Sequence, residues 1–223
     1  VVRAYRFALD PAPQQQQMLR SHCGAQRFAY NWGLAMVKAN LGQREAERTY
    51  GIIEDQLTPT HPWSAYGMRK VWNRAKDSAA PWWRENSKEA YASGLANLAA
   101  ALSNWSKSGT GERAGKVRFP RFKSKKSTLS CRFTTGAFGL TESDRRHVKL
   151  PRIGTVRTHE STRKLARRIE AGTARIRSAT VAFDRGRWFV SFSVEVQRTL
   201  GPPERPGAVV GVDLGVKHLV FRA

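Results

Sequence analysis

Cysteine is nearly missing from this sequence: 223 residues contain Cys23 and Cys131 alone, far apart and outside any C-x-x-C pair. That excludes a disulfide framework and a thiolate zinc site of the usual kind within these residues. No apolar run approaches the ~20 residues that a membrane-spanning helix needs. Nothing has the layout of a secretory signal peptide either, so the expectation is a cytoplasmic protein with no membrane partner. A phosphate loop of the G-x-x-x-x-G-K-S/T form is absent. His22, His61, His147, His159 and His218 show no metal-ligand spacing, and no Ser-His-Asp set can be drawn from residues so scattered. Acidic side chains are scarce as well, with 17 Asp and Glu against 39 Lys and Arg.

Positive charge is what the sequence has in excess. A compact chain of net charge +22 repels itself, which points to a polyanionic partner. Charge kept only for solubility would have little reason to concentrate, yet residues 1–100 carry net +5 and residues 101–223 carry net +17. The reading is a nucleic-acid-binding protein whose C-terminal half is the stronger candidate surface. Apolar residues make up 40% of the chain and include seven Trp and ten Phe, enough for a core, which excludes a disordered basic tail.

The order of elements reads strand, helices, strands, without internal repeat. Val2–Leu9 alternates and is stopped by Asp10-Pro11-Ala12-Pro13, which can open a helix. Helical spacing runs from Gln14 to about Asn40, with Met18, Ala25, Ala29, Trp32 and Met36 on one face. Ser64 can cap a second helix through Lys76, with Met68, Val71, Trp72 and Ala75 turned inward. Asn86 followed by Glu89 suggests the cap of a third helix, in which Tyr91, Leu95, Leu98, Leu102 and Trp105 recur at helical intervals. Its other side is small, with Ala92, Ala96, Ala99 and Ser103, suited to a close helix–helix contact or to nucleic acid. Ser106–Gly115 reads as a loop. Beyond it the period changes to two: Leu129–Thr134, Val148–Leu150, Ile153–Thr158, Ala174–Phe183 and Arg187–Val196 are expected strands. Arg163–Glu170 is an expected short helix. Trp188, Val190, Phe192, Val194 and Val196 make one apolar strand face, consistent with a β-barrel or sandwich.

Three segments carry chemistry. In Lys116–Lys126 the cations Arg118, Arg121, Lys123, Lys125 and Lys126 alternate with Phe119 and Phe122, so one surface could neutralise phosphates and stack on bases. Arg163, Lys164, Arg167 and Arg168 would form a basic flank on a helix. In the third, Val209-Val210-Gly211-Val212-Asp213-Leu214-Gly215, a β-branched run delivers one carboxylate beside a turn-permitting glycine. A metal ligand at a sheet face can be presented in that way. Two-metal phosphodiester cleavage needs several such carboxylates around ions ~4 Å apart. An ordinary hairpin-turn aspartate fits the same pattern.

With these segments in view, the sequence resembles TnpB, the transposon-encoded RNA-guided DNA nuclease, and its descendants, the small type V CRISPR effectors. Tyr5-Arg6-Phe7, Gln15–Leu19 and GAQRFAYNW (Gly24–Trp32) resemble the family's opening. FPRFKSKK (Phe119–Lys126), Leu150–Arg157, Trp188–Val196 and Gly211–Lys217 follow in the family's order. The resemblance implies an α+β architecture: an oligonucleotide-binding-type β-barrel, the wedge, formed by residues 1–11 and 112–206, with a helical recognition domain, 12–111, inserted in it. Residues 207–223 would begin a RuvC nuclease domain of RNase H-like fold. It implies a guide RNA and a target DNA duplex with an adjacent short motif as partners. It also implies Mg²⁺ as cofactor, with Asp213 as a catalytic metal ligand. Motif reading falls in the family to the recognition helices and adjoining barrel, here Lys88, Tyr91, Ser93, Thr134 and Thr135, although the spacing of Tyr91 also suits the core. The family's later Glu and second Asp, and its zinc ribbon, do not occur in these 223 residues. The expectation is therefore the binding part of a longer RNA-guided endonuclease. The alternative is a cleavage-incompetent RNA-guided binder, a repressor or scaffold, produced by natural truncation.

Overall fold

The computed structural model describes residues 1–142 and 144–197, together with the backbone of Val212–Asp213 and Phe221–Arg222. Strand β1 (Val2–Asp10) leads into α1 (Pro13–Thr49), α2 (Ala65–Ala79), a 3₁₀ turn (Trp83–Glu85) and α3 (Lys88–Gly109). Strands β2 (Ser130–Phe133), β3 (Gly139–Leu140), β4 (His147–Leu150) and β5 (Gly154–Thr158) follow, then α4 (Arg163–Glu170), β6 (Ala174–Asp184) and β7 (Arg187–Val196). The backbones of β8 (Val212–Asp213) and β9 (Phe221–Arg222) pair antiparallel.

The protein is α+β, with one seven-stranded antiparallel sheet in the order β2-β6-β7-β1-β5-β4-β3. The first strand thus sits centrally, between β7 and β5. Among the described residues β2 and β3 are the sheet's two edges, and no ladder joins them. The long β6–β7 hairpin turns on Arg185 (φ 47°) and Gly186 (φ 82°), with Asp184 opposite Arg187. Two consecutive positive φ angles match the strands' right-handed twist. The predicted apolar face of β7 is buried at all five positions, and α4 spans the residues expected of it.

The helices differ from expectation in four places. First, α1 runs nine residues beyond Asn40, because its polar end is held by the segment that follows. Glu47 accepts hydrogen bonds from the Thr58 backbone N–H and hydroxyl, and the Arg44 guanidinium donates to the Thr58 carbonyl at 2.6 Å. Second, the buried stripe of α1 comprises Leu19, His22, Cys23, Ala25, Gln26, Ala29, Tyr30, Gly33, Leu34 and Val37; of the expected face Ala25 and Ala29 are buried, Met18 and Trp32 are half-buried against the core, and Met36 is 38% exposed. Third, Ser87 rather than Asn86 caps α3: its hydroxyl accepts from Glu89 N at 3.3 Å, and Asn86 is buried. Fourth, Ser106 to Gly109 are still helical.

The small side of α3 is not where the helices meet closely, since Ala96 and Ser103 are exposed. The close approach is at Gly94, where an added Cβ would lie 2.3 Å from the Gln26 carbonyl oxygen of α1. One hydrophobic core joins the helices to the sheet, running from Leu34, Leu95 and Leu98 through Cys23, Cys131 and Phe133 to Val190 and Phe192. Ser64 caps α2 as expected, accepting from Gly67 N at 3.1 Å.

Candidate nucleic-acid interface

The basic loop lies along the helices, pinned at three points. Asn31 of α1 grips the backbone of Lys123, donating to its carbonyl at 2.9 Å and accepting its N–H at 2.8 Å. The Phe119 ring meets Trp105 of α3 edge-on at 5.0 Å, and Pro120 is buried. The Lys123 ammonium stands 4.3 Å over the Tyr30 ring, where burial lowers its pKa. These contacts turn Phe119 and Lys123 inward. Arg118, Arg121, Lys125 and Lys126 stay exposed, and no ion pair involves them among the described residues. Phe122 is 52% exposed, with the Lys38 ammonium 5.2 Å from its ring centre. Asn31 could not be singled out by sequence, because its partner is a backbone 92 residues away.

The second surface is α4. Leu165 and Ala166 anchor it, while Arg163, Lys164, Arg167 and Arg168 all face solvent. Among the described residues none of the four has an ion-pair partner; the helix's own Glu170 pairs with Arg145.

The third is a cavity of about 390 Å³ between α2, the start of α3 and the loop after β2. Three of the five residues predicted to read a DNA motif, Lys88, Tyr91 and Thr135, line it. So do Arg69, Lys70, Asn73 and Lys76 of α2, which no local pattern in the sequence marks out. The floor is aromatic. Tyr91 is 1% exposed, stacked on Trp72 at 5.0 Å, with its hydroxyl donating to the Trp83 carbonyl at 3.2 Å. Burial pushes that phenol up to about 12. Tyr91 is thus a core residue whose ring borders the cavity. Ser93 lies outside the cavity lining and donates to Gln26 Oε1 at 3.4 Å. The Thr134 hydroxyl is already committed, donating to Glu89 Oε2 at 2.6 Å.

Glu89 ties this corner together. Its Oε2 also accepts the backbone N–H groups of Thr134 (2.9 Å) and Thr135 (3.1 Å). Burial alone would raise its pKa, but the hydrogen bonds from Thr134 and Thr135 outweigh that and hold the carboxyl below its ordinary value. Beneath it, His22 Nε2 accepts the Ser87 N–H at 3.1 Å, and Nδ1 meets the Met18 carbonyl at 2.8 Å. The ring is therefore a neutral imidazole with its proton on Nδ1, and burial lowers its pKa.

Among the described residues no group of three or more His, Cys, Asp or Glu is placed to hold a metal ion, so they do not fit a two-metal site. The side chain of Asp213 lies outside the described residues; its backbone stands in β8, opposite Phe221. No described helix is long and apolar enough to cross a membrane.

The chain, one helical layer on one antiparallel sheet, gathers exposed cations on a loop, a helix and a cavity, surfaces whose charge suits a polyanion. Comparison with known proteins narrows this. A family model described as "Helix-turn-helix domain" (HTH_OrfB_IS605) matches residues 1–46, which here form β1 and most of the single helix α1. A Mycobacterium tuberculosis protein named "Putative RNA-guided DNA endonuclease Rv2885c" is 41% identical over 98% of this chain and 47% of its own length. An Escherichia coli protein named "Putative RNA-guided DNA endonuclease InsQ" is 25% identical over 98% of this chain and 46% of its own length. The chain is TnpB-like over nearly its whole length. It spans about half the length of the curated relatives that it matches.

Proposed function

We propose that this chain is the guide-RNA- and target-DNA-binding portion of an RNA-guided DNA endonuclease. The observation that supports it best is the set of three cationic surfaces. Their arginines and lysines lack carboxylate partners among the described residues, within a chain 41% identical along 98% of its length to a relative of that name. The exposed cations of the basic loop and α4 would hold RNA or DNA backbone, a sequence-independent and salt-sensitive form of affinity. Phe122 offers a surface for base stacking. Sequence would be read by base pairing to the guide, with the protein reading only a short duplex motif. The cavity bounded by Lys88 and Thr135 is the place for that reading. In domain terms, residues 12–111 would be the recognition part, 1–11 and 112–206 the wedge, and 207–223 the start of a RuvC domain.

Cleavage would require Mg²⁺ held by Asp213 together with carboxylates that this sequence does not contain. The test uses the full reading frame with a guide RNA and a matched target. Asp213→Ala should reduce cutting by at least a thousandfold, on the order of the loss when a group essential to the chemistry is removed, and leave guided binding within a few-fold of the parent. Cutting that survives refutes the metal role. Guided binding without cutting by the unmodified full-length protein would instead establish a cleavage-incompetent binder.

A further inference from the structure

A phosphate-binding cavity has no use for a carboxylate, yet one is built into this one. Glu89 is 8% exposed and lines the cavity with Arg69, Lys70, Lys76 and Lys88. Its Oε2 is saturated by three donors from Thr134 and Thr135. Its Oε1 takes no hydrogen bond among the described residues. Tying α3 to the loop after β2 needs only the one oxygen. Oε1 is not a buried atom left without a partner; it is open to the cavity and free to accept from a molecule that enters it. The bonds to Oε2 also fix the plane of the carboxylate, so the lone pairs of Oε1 have a set direction.

We propose that Glu89 Oε1 accepts a hydrogen bond from the exocyclic amine of a DNA base, cytosine N4 or adenine N6, and so selects an amine-bearing base at one position of the duplex motif. In the major groove cytosine and adenine present those donors, whereas guanine and thymine present the acceptors O6 and O4. An acceptor-only carboxylate attracts the first pair and repels the second. The surrounding cations hold backbone phosphates and make a carboxylate tolerable near DNA. This proposal rests on reading the cavity as the place where the duplex is contacted.

The experiment uses the full reading frame loaded with a guide RNA, on matched targets whose flanking positions are randomised, with bound duplexes sequenced. The parent should enrich cytosine or adenine at one flanking position, and which base is enriched tells the two amines apart. In Glu89→Gln the three Thr134 and Thr135 donors claim the amide oxygen and leave the NH₂ at the free position. Acceptor becomes donor, so the enrichment should swing by about tenfold toward guanine or thymine. A purely structural role for Glu89 would weaken all targets alike and swing nothing. Ser87→Ala loosens the same helix start by removing its cap, and should lower the melting temperature without moving the preference; a swing there would overturn direct contact. An unchanged preference in Glu89→Gln, with binding weakened by Lys88→Ala, overturns the proposal and leaves the cavity reading standing. No effect from Lys88→Ala or Arg69→Ala on binding or preference overturns both.

Discussion

Replacing Gly94 by alanine tests how the helical layer is held against itself. In the middle of α3 alanine is favoured over glycine by about 0.8–1 kcal/mol on helix preference alone. The new methyl, however, would lie 2.3 Å from the Gln26 carbonyl oxygen, 3.0 Å from the Ala29 Cβ and 3.1 Å from the Tyr30 nitrogen. Two of those obstacles are backbone atoms of α1, which cannot step aside. An ordinary contact requires α1 and α3 to part by roughly 1 Å, loosening the packing of Leu95 and Leu98. Overpacking of this kind costs about 1–3 kcal/mol, and an immovable obstacle places it at the upper end. The expected net loss is about 2 kcal/mol, a fall in melting temperature of roughly 4–8 °C for a chain of this size. Two glycines calibrate the measurement. At Gly33 the obstacles are Leu98 Cδ2 at 2.9 Å and Leu95 Cδ2 at 3.1 Å, the far ends of flexible side chains, so Gly33→Ala should stay within about 1 kcal/mol of the parent. At Gly42 nothing lies within 4 Å, and Gly42→Ala should stabilise by up to about 1 kcal/mol. Thermal unfolding followed by circular dichroism ranks the three. A Gly94→Ala protein melting at or above the parent would refute the close crossing.

Neutralising Arg163, Lys164, Arg167 and Arg168 to glutamine should flatten the plot of log affinity against log salt by about 0.7–0.9 for each phosphate left without its cation; equal weakening at every salt concentration would point to disturbed packing instead. Asn31→Ala removes both bonds to the Lys123 backbone and should weaken nucleic-acid binding regardless of sequence. It should cost about 1–3 kcal/mol of stability, and gel-shift titration with unrelated duplexes reads the binding. For His22 the folded pKa lies below the unfolded value of about 6.5, mainly through burial. The unfolded chain therefore takes up a proton that the folded one refuses, and stability should fall as pH drops from 7 through 6.5 toward the folded value. Denaturant midpoints across that range should slope less in His22→Gln, and an unchanged slope would exclude His22 as the source.

Periodicity in the sequence was enough to define the sheet hairpin and α4. Trp188, Val190, Phe192, Val194 and Val196 alternate because one face of β7 meets the core, and the Leu165–Ala166 pair among cations marks a helix with one dry side. Charge imbalance likewise needs no coordinates to point to a polyanion. Other features depended on partners distant in the chain. The buried stripe of α1 is wider than the expected face because α3 crosses it closely at Gln26, Ala29 and Tyr30, where Gly94, a residue with no hydropathy signal, admits the backbone. The capping box expected of Asn86 and Glu89 does not form, since the Glu89 side chain is bonded to Thr134 and Thr135, 45 and 46 residues on, and Ser87 caps α3 instead. The cavity joins Arg69, Lys88 and Thr135, which share no local pattern, and Asn31 acts on a backbone far along the chain. Local spacing reports which face of an element is dry; which elements then meet, and which polar atoms they leave unused, is fixed only when the core closes.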